Sequence, residues 1–237
     1  MKTIFTTLLL IASTCLHAGA QPLEETYTFV YIVTGPAIEI DQETQQKAFQ
    51  GHFSNMSRMA DEGDLLIAGP YWKPKSFDDL RGMWIFATDD IDEALKHAAT
   101  DPPGQLGIFE FEALQIKTND AVLELPRLEK EDEERRLSDP DVDDAWVGRG
   151  YFWATAPVDG TDRPQLNDSI SLYSTLIGRE GTRVVDDHWL LLLNATTAEE
   201  AEQVLTESGC DASQWTLDEW YGSTMPARLP EFRGVED

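Results

Sequence analysis

Four histidines supply the side chains best suited to moving a proton near neutral pH, and three of them, His52, His97 and His188, lie beyond the first twenty residues. His52 falls three residues after Phe49 and four before Met56, so it borders an apolar stripe at helical spacing. An imidazole there can take and return a proton if a second group orients it. It can equally be a core histidine bonded to backbone. Asp101 precedes Pro102-Pro103 and reads either as a turn former or as a carboxylate held in a fixed direction. His97 and Asp101, four apart, share a helix face, and with His52 they form the one metal set the sequence offers. That set has no cysteine cluster or His-rich motif behind it, so no metal is expected and His97 reads as a solvent-facing helix residue. Zinc through Cys210 is not expected either. There is no Gly-rich phosphate loop and no nucleophile elbow, so no cofactor is expected.

The elements that must position these residues follow from periodicity. Residues 26–33 (TYTFVYIV) are rich in β-branched and aromatic side chains and predict a strand, ended by Gly35-Pro36. Asp41 caps a helix whose stripe is Phe49, Phe53, Met56 and Ala60, stopped by Gly63. Strands follow at 65–68 (LLIA) and 83–87 (MWIFA). Asp89-Asp90 cap a second helix with Ile91, Ala94, Leu95 and Ala98 on one face, and a fourth strand spans 107–116. The order β-α-β-β-α-β predicts a ferredoxin-like α+β domain over residues 26–118, with both helices on one face of an antiparallel sheet. The opposite face is expected to meet a second sheet.

Residues 119–148 read as an acidic linker, with a charge run from Glu129 to Asp144 that is almost free of apolar residues. Residues 149–230 then read as a degenerate αβ domain: strands at 151–156, 169–177, 189–193 and 215–221, and a helix starting at Thr197. The phrase WIFATDDIDEALKHA at Trp84 parallels WLLLLNATTAEEAEQVL at Trp189, and the first helix is missing from this second copy. Two such halves can form an intrachain pseudo-dimer, a pseudo-dimeric αβ barrel, or else a homodimer. Trp84, Trp189, Trp215 and Trp220 read as packing residues rather than a ligand platform.

Two segments are more specific: HFSNMSRMADEGDLLIAGP, His52 to Pro70, and TDPPGQLGIFEFEALQIK, Thr100 to Lys117. Their spacing resembles the YCII-related domain family, small dimeric αβ-barrel proteins of ferredoxin-like fold, over about residues 27–117. In that family a histidine and an aspartate are the presumed active-site pair, and the resemblance implies that His52 and Asp101 fill those places here. The chemistry is coherent, because a carboxylate bonded to the ring fixes its tautomer and stabilises the imidazolium. The implied activity is acid–base chemistry on a small organic molecule, of lyase, isomerase or hydrolase type. The rival is a non-catalytic ligand-binding or envelope protein that kept the fold. It draws on the second half's lack of a matching pair, on the three histidines that remain after cleavage, and on the predicted export, since members of the resembled family are mostly small and intracellular.

The formal net charge of −26 excludes nucleic acid and anionic membrane surfaces as partners. Lys2, the apolar run from Ile4 to Leu10 and Ala18-Gly19-Ala20 form a signal-peptide pattern over residues 1–20, cut after Ala20, which predicts export to a periplasm or the outside. That run is too short to span a bilayer. Ile11 to Cys15 is a poorer, lipoprotein-like alternative because Thr14 fits badly before a lipidated cysteine. With Cys15 removed, Cys210 stands alone and no internal disulfide is expected. Asn55, Asn167 and Asn194 begin glycosylation tripeptides, a pattern common by chance.

Overall fold

The computed structural model describes residues 25–37, 39–139 and 145–234. The predicted leader, its cleavage point and Cys15 lie outside the described residues.

Eight antiparallel strands form one sheet. In chain order they are β1 (Glu25–Thr34), β2 (Leu65–Pro70), β3 (Leu80–Phe86), β4 (Phe109–Thr118), β5 (Gly148–Pro157), β6 (Ile170–Ile177), β7 (His188–Leu193) and β8 (Thr216–Ser223). The spatial order is β2-β3-β1-β4-β6-β7-β5-β8. The first four strands have the order predicted for a ferredoxin-like unit. The last four run in the corresponding order. Two separate sheets stacked face to face do not form: β4 pairs directly with β6 from Gln115↔Ile177 to Thr118↔Ser174. At the other edge Tyr71 bridges Trp220, Trp72 N donates to Glu219 O at 2.8 Å, and Glu219 N donates to Pro74 O at 2.8 Å. The sheet is therefore nearly a barrel, and closure removes the exposed edges that open sheets must protect. Gly69 makes this seam possible, since a Cβ there would lie 2.1 Å from the Tyr221 carbonyl oxygen.

Strand alternation divides the core. Tyr27, Phe29, Tyr31 and Val33 of β1 face the barrel interior with Met83, Ile85, Leu114, Trp153, Leu190 and Trp220. Val30 and Ile32 face outward, with Trp84 and Phe86, under α1 (Gln42–Asp61) and α2 (Ile91–Ala98). A strand buried on both faces explains why residues 26–33 are apolar almost without interruption. Behind the second half, Phe152, Leu191 and Leu193 pack under α5 (Ala198–Glu207) with Trp189 and Trp215. The four tryptophans read as packing residues are all buried.

Two helical elements depart from expectation. Pro102–Gln105 forms a short helix, α3, where a loop was expected. Leu125–Ser138, wholly within the stretch read as linker, forms α4. The charge run hides its anchors: Leu125 and Leu128 precede it and are buried, as is Arg136. With Val122 they close one end of the barrel against Met225, Leu229 and Phe232 of a C-terminal 3-10 segment, Met225–Phe232. Residues 140–144 of the stretch read as linker lie outside the described residues.

Candidate functional site

Helix α1 starts where Asp41 accepts from Thr44 N at 2.9 Å, and its buried face carries Ala48, His52 and Met59. Gly51, next to His52, lets α3 lie against α1: a Cβ there would come within 2.7 Å of Pro102 Cγ. That contact brings Asp101 to the helix. Asp101 occupies the N-cap position of α3, where a carboxylate ordinarily accepts from backbone amides. Pro102 and Pro103 have no N–H to give, and the Asp101 side chain makes no capping bond. It turns instead to His52, whose Nδ1 lies 2.8 Å from Asp101 Oδ1.

The surroundings are aromatic. The imidazole stacks on Trp84 (centroids 5.6 Å, planes 22°) and meets the edges of Phe109 and Phe53, each at 5.6 Å. Trp84 stacks in turn on Phe111 at 5.5 Å, and its indole N–H points to Met56 Sδ at 3.3 Å. Asp101 is fully buried and the His52 side chain retains 11% exposure. A carboxylate acts as acceptor, so Nδ1 carries the proton and Nε2 holds the free lone pair. Nε2 bonds to no described residue and is not among the partnerless side-chain atoms sealed from solvent. Asp101 Oδ2 and Asn55 Nδ2 are sealed and partnerless. Orphaned buried polar atoms each cost about 1–3 kcal/mol, which makes this an expensive way to build a merely structural contact.

The sequence pointed to His52 and Asp101, and the structure brings them together. It did not point to the ring stack beneath them or to Gly51. The one available signal was the small residue beside a histidine on a predicted buried face. Two shallow surface concavities take in neither His52 nor Asp101. One lies along α4 at Glu131, Glu134 and Arg135. The other runs along α1 from Gln42 to Phe53, ending at the ring that abuts His52.

His97 does not join this pair. Its Nδ1 lies 3.4 Å from Asp64 Oδ2 and its ring stacks on Phe86. Among the described residues no group of three or more His, Cys, Asp or Glu side chains is placed to hold a metal ion. His188 opens β7, with Nδ1 2.8 Å from Asp186 O. Cys210 is buried and unpaired, and burial raises its thiol pKa above the ordinary value, with Asp162 adding to the effect. Among the described residues no helix is long and apolar enough to cross a membrane.

No curated protein and no solved structure gives a significant match to the chain. A family model does match: that of the YCII-related domain, over residues 28–117. This span holds β1 to β4 with α1 to α3 and includes both His52 and Asp101, so this part of the chain is similar to a YCII-related domain.

Proposed function

We propose that the His52–Asp101 pair performs general acid–base chemistry on a small organic molecule. One observation carries this reading: a carboxylate holds Nδ1 while Nε2 stays unpartnered and in contact with solvent. Asp101 fixes the tautomer, and Nε2 abstracts a proton from substrate and returns it. The aromatic bed of Trp84 and Phe109 restrains the ring, and Asp101 stabilises the imidazolium formed in the step. Proton abstraction beside a carbonyl is the simplest member of this class. The test is deuterium incorporation from heavy water into a panel of small ketones and 2-oxo acids, followed by NMR. Exchange that falls at least about 100-fold in both His52→Ala and Asp101→Asn supports the reading. Exchange equal in wild type and His52→Ala removes it.

The near-complete burial of the pair favours a second reading, a non-catalytic ligand-binding protein that retains the fold. There His52→Ala would change ligand affinity or stability and no rate.

We also infer that residues 149–230 are a degenerate copy of the first unit. The matching strand orders and the helix between β7 and β8 support this. One chain would then supply both halves of a barrel that the family builds from two. Export after cleavage at Ala20 belongs to the same proposal, and N-terminal sequencing of secreted material tests it. A mature chain starting at Met1 or Cys15 would overturn it.

A further inference from the structure

The end of the barrel opposite α4 is built differently from the plugged end. Two hairpin loops arch over it: residues 71–79, between β2 and β3, and residues 178–187, between β6 and β7. Arg183 of the second loop joins them, donating to Asp79 of the first loop and to Glu112 at 2.7 Å. Its guanidinium lies 5.5 Å from the Tyr31 ring centroid and 4.9 Å from that of Phe77. Below, on the inward face, stand Tyr31 and Tyr71, only 6% and 7% exposed, with ring centroids 6.5 Å apart. Neither hydroxyl hydrogen-bonds to any described residue, and neither is among the partnerless side-chain atoms sealed from solvent. From the other half comes Asp218 of β8, 5% exposed and on the same face as Trp220. Its carboxylate accepts from the Ser76 amide and, at 3.0 Å, from the Ser76 hydroxyl. Both donors are neutral, and among the described residues no cation forms a salt bridge with it, although the charge of Lys75 acts on it from farther away.

We propose that this mouth binds a small organic ammonium ion, with Asp218 as counter-ion and the Tyr31 and Tyr71 hydroxyls accepting its N–H bonds. A buried carboxylate without a cationic partner, beside two aromatic faces, attracts an ammonium group by charge and by the ring quadrupoles. Arg183 shows that a cation is accommodated on the Tyr31 face. Burial raises the Asp218 pKa above the ordinary carboxylate value, and the charge of Lys75 only partly opposes this. The net charge of −26 steers cations toward the molecule and repels anions. The site faces the barrel interior, whereas His52 and Asp101 lie on the sheet's outer side, so it stands or falls independently of the proposed proton chemistry.

The experiment is calorimetric titration of the full chain with benzylammonium and with its neutral analogue benzyl alcohol. Saturable one-to-one binding of benzylammonium, at least about 10-fold tighter than benzyl alcohol, is expected. Asp218→Asn should abolish that preference while circular dichroism stays unchanged. The surface variant Asp61→Asn, at the exposed end of α1, removes the same charge and should leave it intact. Tyr31→Phe and Tyr71→Phe should each weaken binding. Absence of saturation with benzylammonium overturns the proposal, as do equal affinities for the two probes or equal losses in Asp218→Asn and Asp61→Asn.

Discussion

Asp101 does two things that ordinarily conflict: it starts a helix, and it spends its carboxylate elsewhere. The Asp-Pro-Pro sequence eases the conflict by removing two of the amides that could capture the side chain, leaving that of Gly104, to which it makes no capping bond. Its Oδ2 is sealed and unsatisfied, so the position is optimised for the bond to His52 rather than for stability. Asp101→Asn is expected to keep the fold, with a melting temperature within a few degrees of wild type. Any proton-transfer rate should drop by about 100-fold or more, because an amide does not hold the same tautomer. Thermal denaturation and the deuterium-exchange rate together check this. Acidic residues at the barrel mouth separate by the sign of their linkage to pH. Arg183 holds the Glu112 and Asp79 carboxyls below their ordinary pKa values. That stabilisation is present above the unfolded-state pKa values and is lost as pH falls through the lower folded values. Asp218 is shifted the other way by burial. Its contribution is favourable at low pH and is lost as pH rises through its folded value. Asp218→Asn should therefore raise the melting temperature near neutral pH, with the gain fading below about pH 4, whereas the destabilisation in Arg183→Ala should shrink over that same acid range. Melting curves across pH distinguish the two.

Elements were legible in the sequence wherever one periodicity dominated. The run at residues 26–33, the Asp41 and Asp90 caps and the Thr197 cap all mark structure at or within a residue or two of its observed start. The pair was legible only through the resemblance of residues 52–70 and 100–117 to the YCII-related family; the local signals, a histidine bordering an apolar stripe and an Asp-Pro turn, each have a structural reading as well, and Phe53 of that stripe is exposed. Helix α4 was not, because its two anchoring leucines lie upstream of a dense charge run that reads as solvated. Its exposed face is laced by pairs such as Arg127 with Glu124 and Glu131, each a short-range feature worth little alone. The C-terminal 3-10 segment is held by long-range contacts that leave no local trace. Arg233 forks onto both oxygens of Asp120, at 2.6 and 3.0 Å, and also donates to the carbonyls of Asn167 and Ile170. Asp120 in turn accepts from Tyr173 N. This clasp joins the end of β4, the start of β6 and the chain's last turn. Arg233→Ala leaves a buried carboxylate unpaired and should destabilise the protein by about 3 kcal/mol or more. An unfolding free energy from denaturant titration lowered by less than about 0.5 kcal/mol would show that the tail is not integral to the barrel.

At the scale of the whole molecule, the sequence offered a pseudo-dimeric barrel only as one option beside a homodimer, because strand pairing between halves depends on residues some sixty to one hundred and fifty positions apart. The consequence is nonetheless specific. A four-stranded ferredoxin-like sheet leaves one face and two edges to be covered, and a second subunit can cover them. Here the inward face of β1 to β4 is covered by Tyr151, Trp153, Leu172, Leu190 and Trp220 of the same chain. Both edges are met as well, β4 by β6 and β2 by β8. A copy of the chain thus has no open inward sheet face left to pair with, and the large negative charge opposes weaker association. The chain should therefore be monomeric at micromolar concentration in moderate salt. Light scattering coupled to size exclusion checks this through the mass of the full chain, 26.6 kDa, or slightly less if a leader is removed. A stable dimer would mean that the intrachain barrel does not replace a second subunit. Cutting between the halves gives the complementary test. Because Trp153 and Trp220 pack against Phe29 and its neighbours in one interior, residues 25–118 expressed alone should either fail to fold or self-associate. Coexpression with residues 145–234 should restore a one-to-one complex of the two pieces.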